Sequence, residues 1–210
     1  MVCVVALVVC ALLNPPVVAA VNSIGLGIQA ATELQPLLMG IVIAVVVGIL
    51  LTLPTSSAAI CISIGLGGLA GGAAVVGCAS HMIGFAVASY KDNGISGVIS
   101  QGLGTSMLQI PNVLKKPLIL LPAVIASAIV GPIATVGFQL ACTATGAGMG
   151  TAGLVGVFGV IEASQGIMNS TQLWTAIILL MFVLPAIIAW SVAYMMRRLG
   201  WIVAGDMKLP

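Results

Sequence analysis

Few side chains in these 210 residues can do chemistry, and most of them fall in one passage. Between Gly94 and Pro117, GISGVISQGLGTSMLQIPNVLKKP, the residues Gln101, Thr105, Ser106, Gln109 and Asn112 offer neutral hydrogen-bond donors and acceptors. A second small-residue passage, Gln139 to Gln165, adds Thr143, Thr145, Thr151 and Glu162, and His81 is the chain's one histidine. Amides and hydroxyls without a paired charge suit a polyhydroxylated solute better than an ion, which would need a counter-charge or a ring of oxygens. The expected binding set is therefore His81, Gln101, Thr105, Ser106, Gln109, Asn112 and Glu162. No nucleophile and base stand at a catalytic spacing, so no catalytic residue is assigned. Any one of these groups could simply bond helix to helix, whereas the cluster points to a wet path. Standing alone, His81 reads as an interfacial or helix-bonding residue where its segment ends. Glu162 reads as a hairpin-end residue in water, or as one that faces a cavity because lipid would exclude it.

Several classes drop out. Cys3, Cys10, Cys61, Cys78 and Cys142 form no CxxC pair and stand near no histidine that could complete a metal set, so they read as small buried hydrophobes. No phosphate-cradling GxxxxGK[ST] loop is present, and no cofactor is expected. Six basic residues and a net charge of +2 make no nucleic-acid patch. Met1 to Leu13 is apolar without a basic lead, unlike a cleavable signal peptide.

The elements that must position those residues are set by solvent. With 61% hydrophobic residues, 5% charged residues and a mean hydropathy of +1.30, the chain cannot cover a water-soluble globule with polar surface. Its apolar runs are continuous rather than alternating, which excludes a β-barrel and predicts an all-α integral membrane bundle. Val2 to Val21 can span with a kink at Asn14, Pro15 and Pro16, and a polar link carrying Gln29, Thr32, Glu33 and Gln35 follows. Pro36 to Leu53 is a clean span, and the Pro54 to Ser57 break offers hydroxyls to cap the next helix. Ala58 to Met82 is rich in small residues, the mark of close helix contacts. Tyr90, Lys91, Asp92 and Asn93 read as a charged loop. Leu118 to Phe138 and Leu173 to Met196 are further spans, and Arg197 and Arg198 lead into a short tail. If the passages at 94–112 and 139–165 enter the membrane and return, every basic residue lands on one side, which would be cytoplasmic. Two broken, polar passages in a bundle are the pattern of a carrier's midplane site. The chain divides into an N-terminal span and link (1–35), paired glycine-rich spans (36–93) and a substrate-path half (94–210).

The run SYKDNGISGVISQGLGTSMLQIPNVLKKPLILLPAVIASAIVGPIATVGF, with GAGMGTAGLVG and RRLGWIVAGDMKLP after it and LQPLLMGIVIAVVVGILLTLPTSSAAICISIGLGGLAGGAA before it, resembles the IIC-type membrane permeases of the bacterial sugar phosphotransferase system. More narrowly it resembles the branch labelled perfringolysin O regulator or putative toxin regulator, from about Leu34 onward. The resemblance implies a bacterial inner-membrane permease that takes up a sugar as it is phosphorylated, with the phosphoryl donor on separate IIB and IIA proteins. It also implies a homodimer and a chain shorter at its N-terminus than its relatives. Better-known sugar branches carry a glutamate just before such a proline-rich segment and a histidine in an earlier loop. Matching back from Pro117 puts Thr105 or Ser106 at the glutamate's place, where a neutral hydroxyl cannot take a proton as a carboxylate would.

Three functions follow as expectations: a sugar-specific IIC permease, a membrane sensor or regulator that binds a solute and signals, and a carrier for a non-sugar metabolite without phosphotransfer. At most the chain is the membrane component of a sugar phosphotransferase.

Overall fold

The computed structural model describes residues 23–166 and 168–209, so the expected span at Val2 to Val21 lies outside the described residues. It is an all-α bundle: among the described residues no strand forms, and the one β-type pairing is an isolated bridge between Gly68 and Cys142. Among the described residues three helical stretches are long and apolar enough to cross a membrane, Gly68–Ala88, Pro117–Gly137 and Ser170–Arg198, with shorter apolar helices at Pro36–Thr52 and Ala152–Ser164.

The described residues open with a helix over 23–34 (α1), so much of the expected polar link is helical. Pro36 starts α2 (Pro36–Thr52), where proline's missing N–H costs nothing. The break at Pro54 caps α3 (Ser57–Ser63) as expected, the Ser56 hydroxyl accepting from Ala59 N at 3.3 Å. One expectation needs correcting. The passage at Ala58 to Met82 is not a single element: it divides at 64–67, and α4 (Gly68–Ala88) runs on past Met82. His81 therefore lies inside a buried helix rather than at a segment end. Likewise Tyr90 to Asn93 is no loop but the opening of α5 (Tyr90–Ile99), bent at Gly94, whose φ of 60° is open to glycine.

The central passage breaks repeatedly. A wide π-helical turn (Ser100–Gly104) is followed by extended Thr105, a 3₁₀ turn (Ser106–Gln109) and α6 (Ile110–Lys115). Pro117–Leu120 then leads into α7 (Leu121–Pro132), which ends in a second π turn, Ile133–Gly137. The other small-residue passage is broken too, with α8 (Ala144–Ala147), a 3₁₀ turn at Ala152–Leu154 and α9 (Val155–Ser164). The last crossing joins α10 (Ser170–Ile177), a third π turn (Ile178–Val183) and α11 (Leu184–Arg198).

The bundle is organised around α4, which packs against α2, α7 and α11. Helices come this close because small residues face each other. A Cβ on Gly77 would sit 2.1 Å from the Ala44 carbonyl oxygen of α2, and one on Gly131 of α7 would sit 2.4 Å from the Gly40 carbonyl oxygen. Side chains fill what remains: Ile43, Val47, Met82 and Cys78 between α2 and α4, and Val130, Leu140, Val160 and Leu180 behind them. Cys61, Cys78 and Cys142 are free and buried. A third apolar cluster, around Phe85, Ile119 and Met196, includes Ile202 and Met207, so the short tail folds back against the bundle.

Candidate functional site

The polar residues of the central passage fall into two bonded groups. The first lies against α4. His81 is fully buried, and its Nδ1 stands 3.0 Å from the Thr52 hydroxyl, which is itself 3.2 Å from the buried Ser106 hydroxyl. Thr52 also reaches the Gly48 carbonyl at 3.2 Å. The Nε2 of His81 has no partner, and among the described residues it is the one buried side-chain nitrogen or oxygen so left. Either tautomer leaves Nε2 bare, as an N–H or as a lone pair, at a cost of about 1–3 kcal/mol. That edge of the ring is pressed onto Gly48, where a Cβ would lie 2.9 Å from Nε2. Thr52 also borders a cavity of about 30 Å³, lined by Ile49, Ile110, Val113 and Leu120 among others and too small for a sugar.

The two broken passages meet beside this group. The Thr151 hydroxyl donates to the Gly102 carbonyl at 2.6 Å and lies 3.5 Å from the Met82 sulfur. A π turn leaves a carbonyl off the helical ladder, and here a buried hydroxyl from the second passage takes it. Ser57 of α3 reaches the same passage, donating to the Gly148 carbonyl at 2.7 Å.

The second group is a ladder of amides. Gln101 and Gln109 are fully buried, and Gln109 Nε2 donates to Gln101 Oε1 at 2.9 Å while Asn112 Nδ2 donates to Gln109 Oε1 at 2.9 Å. Gln101 continues the chain to the Ser89 hydroxyl at 2.8 Å. The remaining donors hold the tail: Gln109 Nε2 to the Met207 carbonyl at 3.0 Å, and Asn112 Nδ2 to the Lys208 carbonyl at 2.9 Å. Asn93 grips the same strip from the other side, donating to Met207 O at 2.7 Å and accepting from Leu209 N at 2.8 Å.

Ion pairs frame this ladder. Arg197 binds Asp92 at 2.7 Å, Asp92 also accepts from Gly205 N at 3.0 Å, and Lys116 binds Asp206 at 2.6 Å. The hydrogen bond from Lys116, with a second from Val203 N, holds the Asp206 carboxyl below the usual carboxylate range. Lys91 adjoins Asp92, Lys115 adjoins Lys116, and Arg198 follows Arg197, so all six basic residues gather about the folded-back tail.

The other expected residues are placed apart. Thr105 is half-buried and spends its hydroxyl oxygen on Met107 N at 3.2 Å, capping the 3₁₀ turn. Glu162 is exposed in the last turn of α9, away from both groups. Thr143 and Thr145 bond each other at 3.0 Å at the start of α8. Sequence reasoning missed Thr52, which links His81 to Ser106, and missed the tail. For Thr52 the one signal was a hydroxyl at the end of an otherwise apolar span; for the tail it was the pairing of Asp206 and Lys208 with Ile202 and Met207.

Residues 1–209 match the family model described as phosphotransferase system, EIIC, a match that also takes in the residues before Leu34. No curated protein and no solved structure matches the chain.

Proposed function

The chain belongs to the phosphotransferase system EIIC family, and from that premise we propose that it is a sugar-specific permease whose solute binds where the two broken passages meet. Membership makes it the membrane permease component of such a system, with a sugar as substrate and IIA and IIB proteins as phosphoryl carriers in general terms. The observation that carries the proposed site is the unpartnered Nε2 of His81, buried beside the Thr52 and Ser106 hydroxyls. In this arrangement the hydroxyls satisfy one another and Nε2 alone goes without. Gly48 closes off Nε2 in this arrangement, so in this reading a sugar hydroxyl reaches it only once the contact at Gly48 opens, giving Nε2 its partner and exchanging the Thr52–Ser106 bond for bonds of equal kind. Selection then rests on neutral hydrogen bonding, which suits a polyol and penalises an ion. The Thr151–Gly102 contact supports placing the solute between the passages, both of which we take to enter the membrane and return.

The gathering of all six basic residues at one end supports a cytoplasmic position for that end in a bacterial inner membrane, where IIB would approach. Thr105 and Ser106 carry no carboxylate, so in this reading the proton of the sugar hydroxyl leaves with a group supplied by IIB. A homodimer completes the proposal, and light scattering of the detergent complex would test it.

The defining experiment is thermal stabilisation of the purified protein against a panel of sugars, because a ligand that binds only the folded state raises Tm. At least one sugar is expected to stabilise, with the effect lost in His81→Phe and Ser106→Ala and kept in Glu162→Gln. A sugar that stabilises all of these variants equally overturns the site. Stabilisation by another metabolite and by no sugar overturns the substrate class and leaves a carrier or sensor without phosphotransfer.

A further inference from the structure

On the outer side of the basic end, α4, α5 and α11 leave a cleft of about 60 Å³ that the sugar site does not use. Its lower wall is apolar, from Val87, Ala88, Trp190 and Ala193, and its rim carries Tyr90, Lys91, Tyr194 and Arg197. Along α11 the residues Trp190, Tyr194 and Arg198 repeat at four-residue spacing and stand on one exposed stripe. The Trp190 and Tyr194 rings stack with centroids 5.7 Å apart and planes 19° apart. Above them the Arg198 guanidinium lies 5.0 Å from the Tyr194 centroid, and its Nε donates to the Tyr194 hydroxyl at 2.9 Å. Because Tyr194 accepts from Arg198, its own proton remains free to be donated outward.

The charges facing this cleft do not cancel. Asp92 is consumed by Arg197 and by Gly205 N, and Arg197 spends a further bond on the Ala88 carbonyl at 3.2 Å. Among the described residues Lys91 forms no ion pair, and Arg198 bonds only a phenol. The rim of the cleft thus carries one uncompensated cation, Lys91, and a phenolic donor, Tyr194, with Arg198 held against that phenol on the same exposed stripe of α11.

We propose that this cleft binds an anionic phospholipid, its phosphate held by Lys91, Arg198 and the Tyr194 hydroxyl and its acyl chain lying along Val87, Trp190 and Ala193. Charge complementarity chooses the headgroup, and the run of apolar wall directly beneath the cations chooses a lipid over a free anion. Aromatic residues at such a level sit where hydrocarbon meets headgroup, and basic clefts between membrane helices favour acidic headgroups. The assignment is independent of which solute the permease carries.

The test is native mass spectrometry of the purified protein exchanged into mixed phosphatidylglycerol and phosphatidylcholine, reading which lipid stays bound as detergent is stripped. Phosphatidylglycerol is expected to be retained preferentially, with the preference falling about fivefold for each cation removed in Lys91→Gln and Arg198→Gln. Trp190→Ala should weaken both lipids alike. Both cations lie outside the apolar clusters, so these variants are expected to fold, and the lipid competition on the unaltered protein is a readout that needs no variant. Equal retention of the two lipids overturns the proposal, as does a preference unchanged in the double variant. Displacement of the lipid by soluble glycerol phosphate at equal concentration overturns it too, by making the site one for free phosphate.

Discussion

The middle of α4 and its C-terminal end are held by opposite means. Around Gly77 the helix is fixed by shape: backbones touch, and there is no room for one added carbon. Around Ser89 it is fixed by bonds, an amide ladder and two ion pairs that tie α5, α6 and α11 to the folded-back tail. Shape complementarity is lost all at once when violated, because a close-packed interior cannot yield locally. A hydrogen-bonded seam gives way bond by bond, each net bond being worth only about 1 kcal/mol while an orphaned buried partner costs more. The proposed sugar site lies between the two, where Thr52 and His81 belong to the packed region and Ser106 to the bonded one.

The comparison breaks most readily at Gly77. Gly77→Leu forces a branched side chain against the Ala44 carbonyl, and the loss should exceed the roughly 3 kcal/mol at the upper end of ordinary overpacking. Detergent thermal melts should show no folded bundle, whereas Gly27→Ala, with nothing within 4 Å of the new carbon, should melt at or slightly above the parent temperature. A tolerated Gly77→Leu would show that α2 and α4 are not in contact. Next in size is Gln109→Leu, which takes a donor from Gln101 Oε1 and from Met207 O and an acceptor from Asn112. A cost of about 1–3 kcal/mol for an orphaned group is expected. Hydrogen exchange should rise in residues 93–112 and 201–209 and stay unchanged in α2 and α7. Faster exchange through α2 would mean that the regions are one cooperative unit.

The smallest effect belongs to Lys116–Asp206, a partly exposed pair worth less than about 1 kcal/mol. Since the folded-state pKa of Asp206 is lowered, its contribution is present above the ordinary carboxylate pKa of about 4 and is lost as pH falls through the lower folded value. Trp201 fluorescence, read in a background with Trp174→Phe and Trp190→Phe, should be flat from neutral pH to about 5 and report tail loosening only below about 4. In Asp206→Asn that acid step should vanish.

Much of this was legible from residue order. Continuous apolar runs, Pro36 at a helix start and the hydroxyls after Pro54 specify elements locally, and the structure has them where expected. The breaks at 94–117 and 139–165 were equally visible, because glycine and proline act on their own neighbours. Long-range pairing was not visible. Nothing near Asn93 reveals that its amide meets Met207, 114 residues away, and nothing near Thr52 announces Ser106. The helical run through Tyr90 to Asn93 was hidden by charge, since those polar residues resemble a loop until Asp92 is seen paired with Arg197.

The π turns at Ser100–Gly104, Ile133–Gly137 and Ile178–Val183 each hold one residue of slack inside a helical run. Passing that slack along the axis by one position would rotate the residue it crosses by about 100° and carry it about 1.5 Å, while both ends of the run stay anchored. A closely packed bundle has in these turns a way to move by corkscrew rather than by hinge.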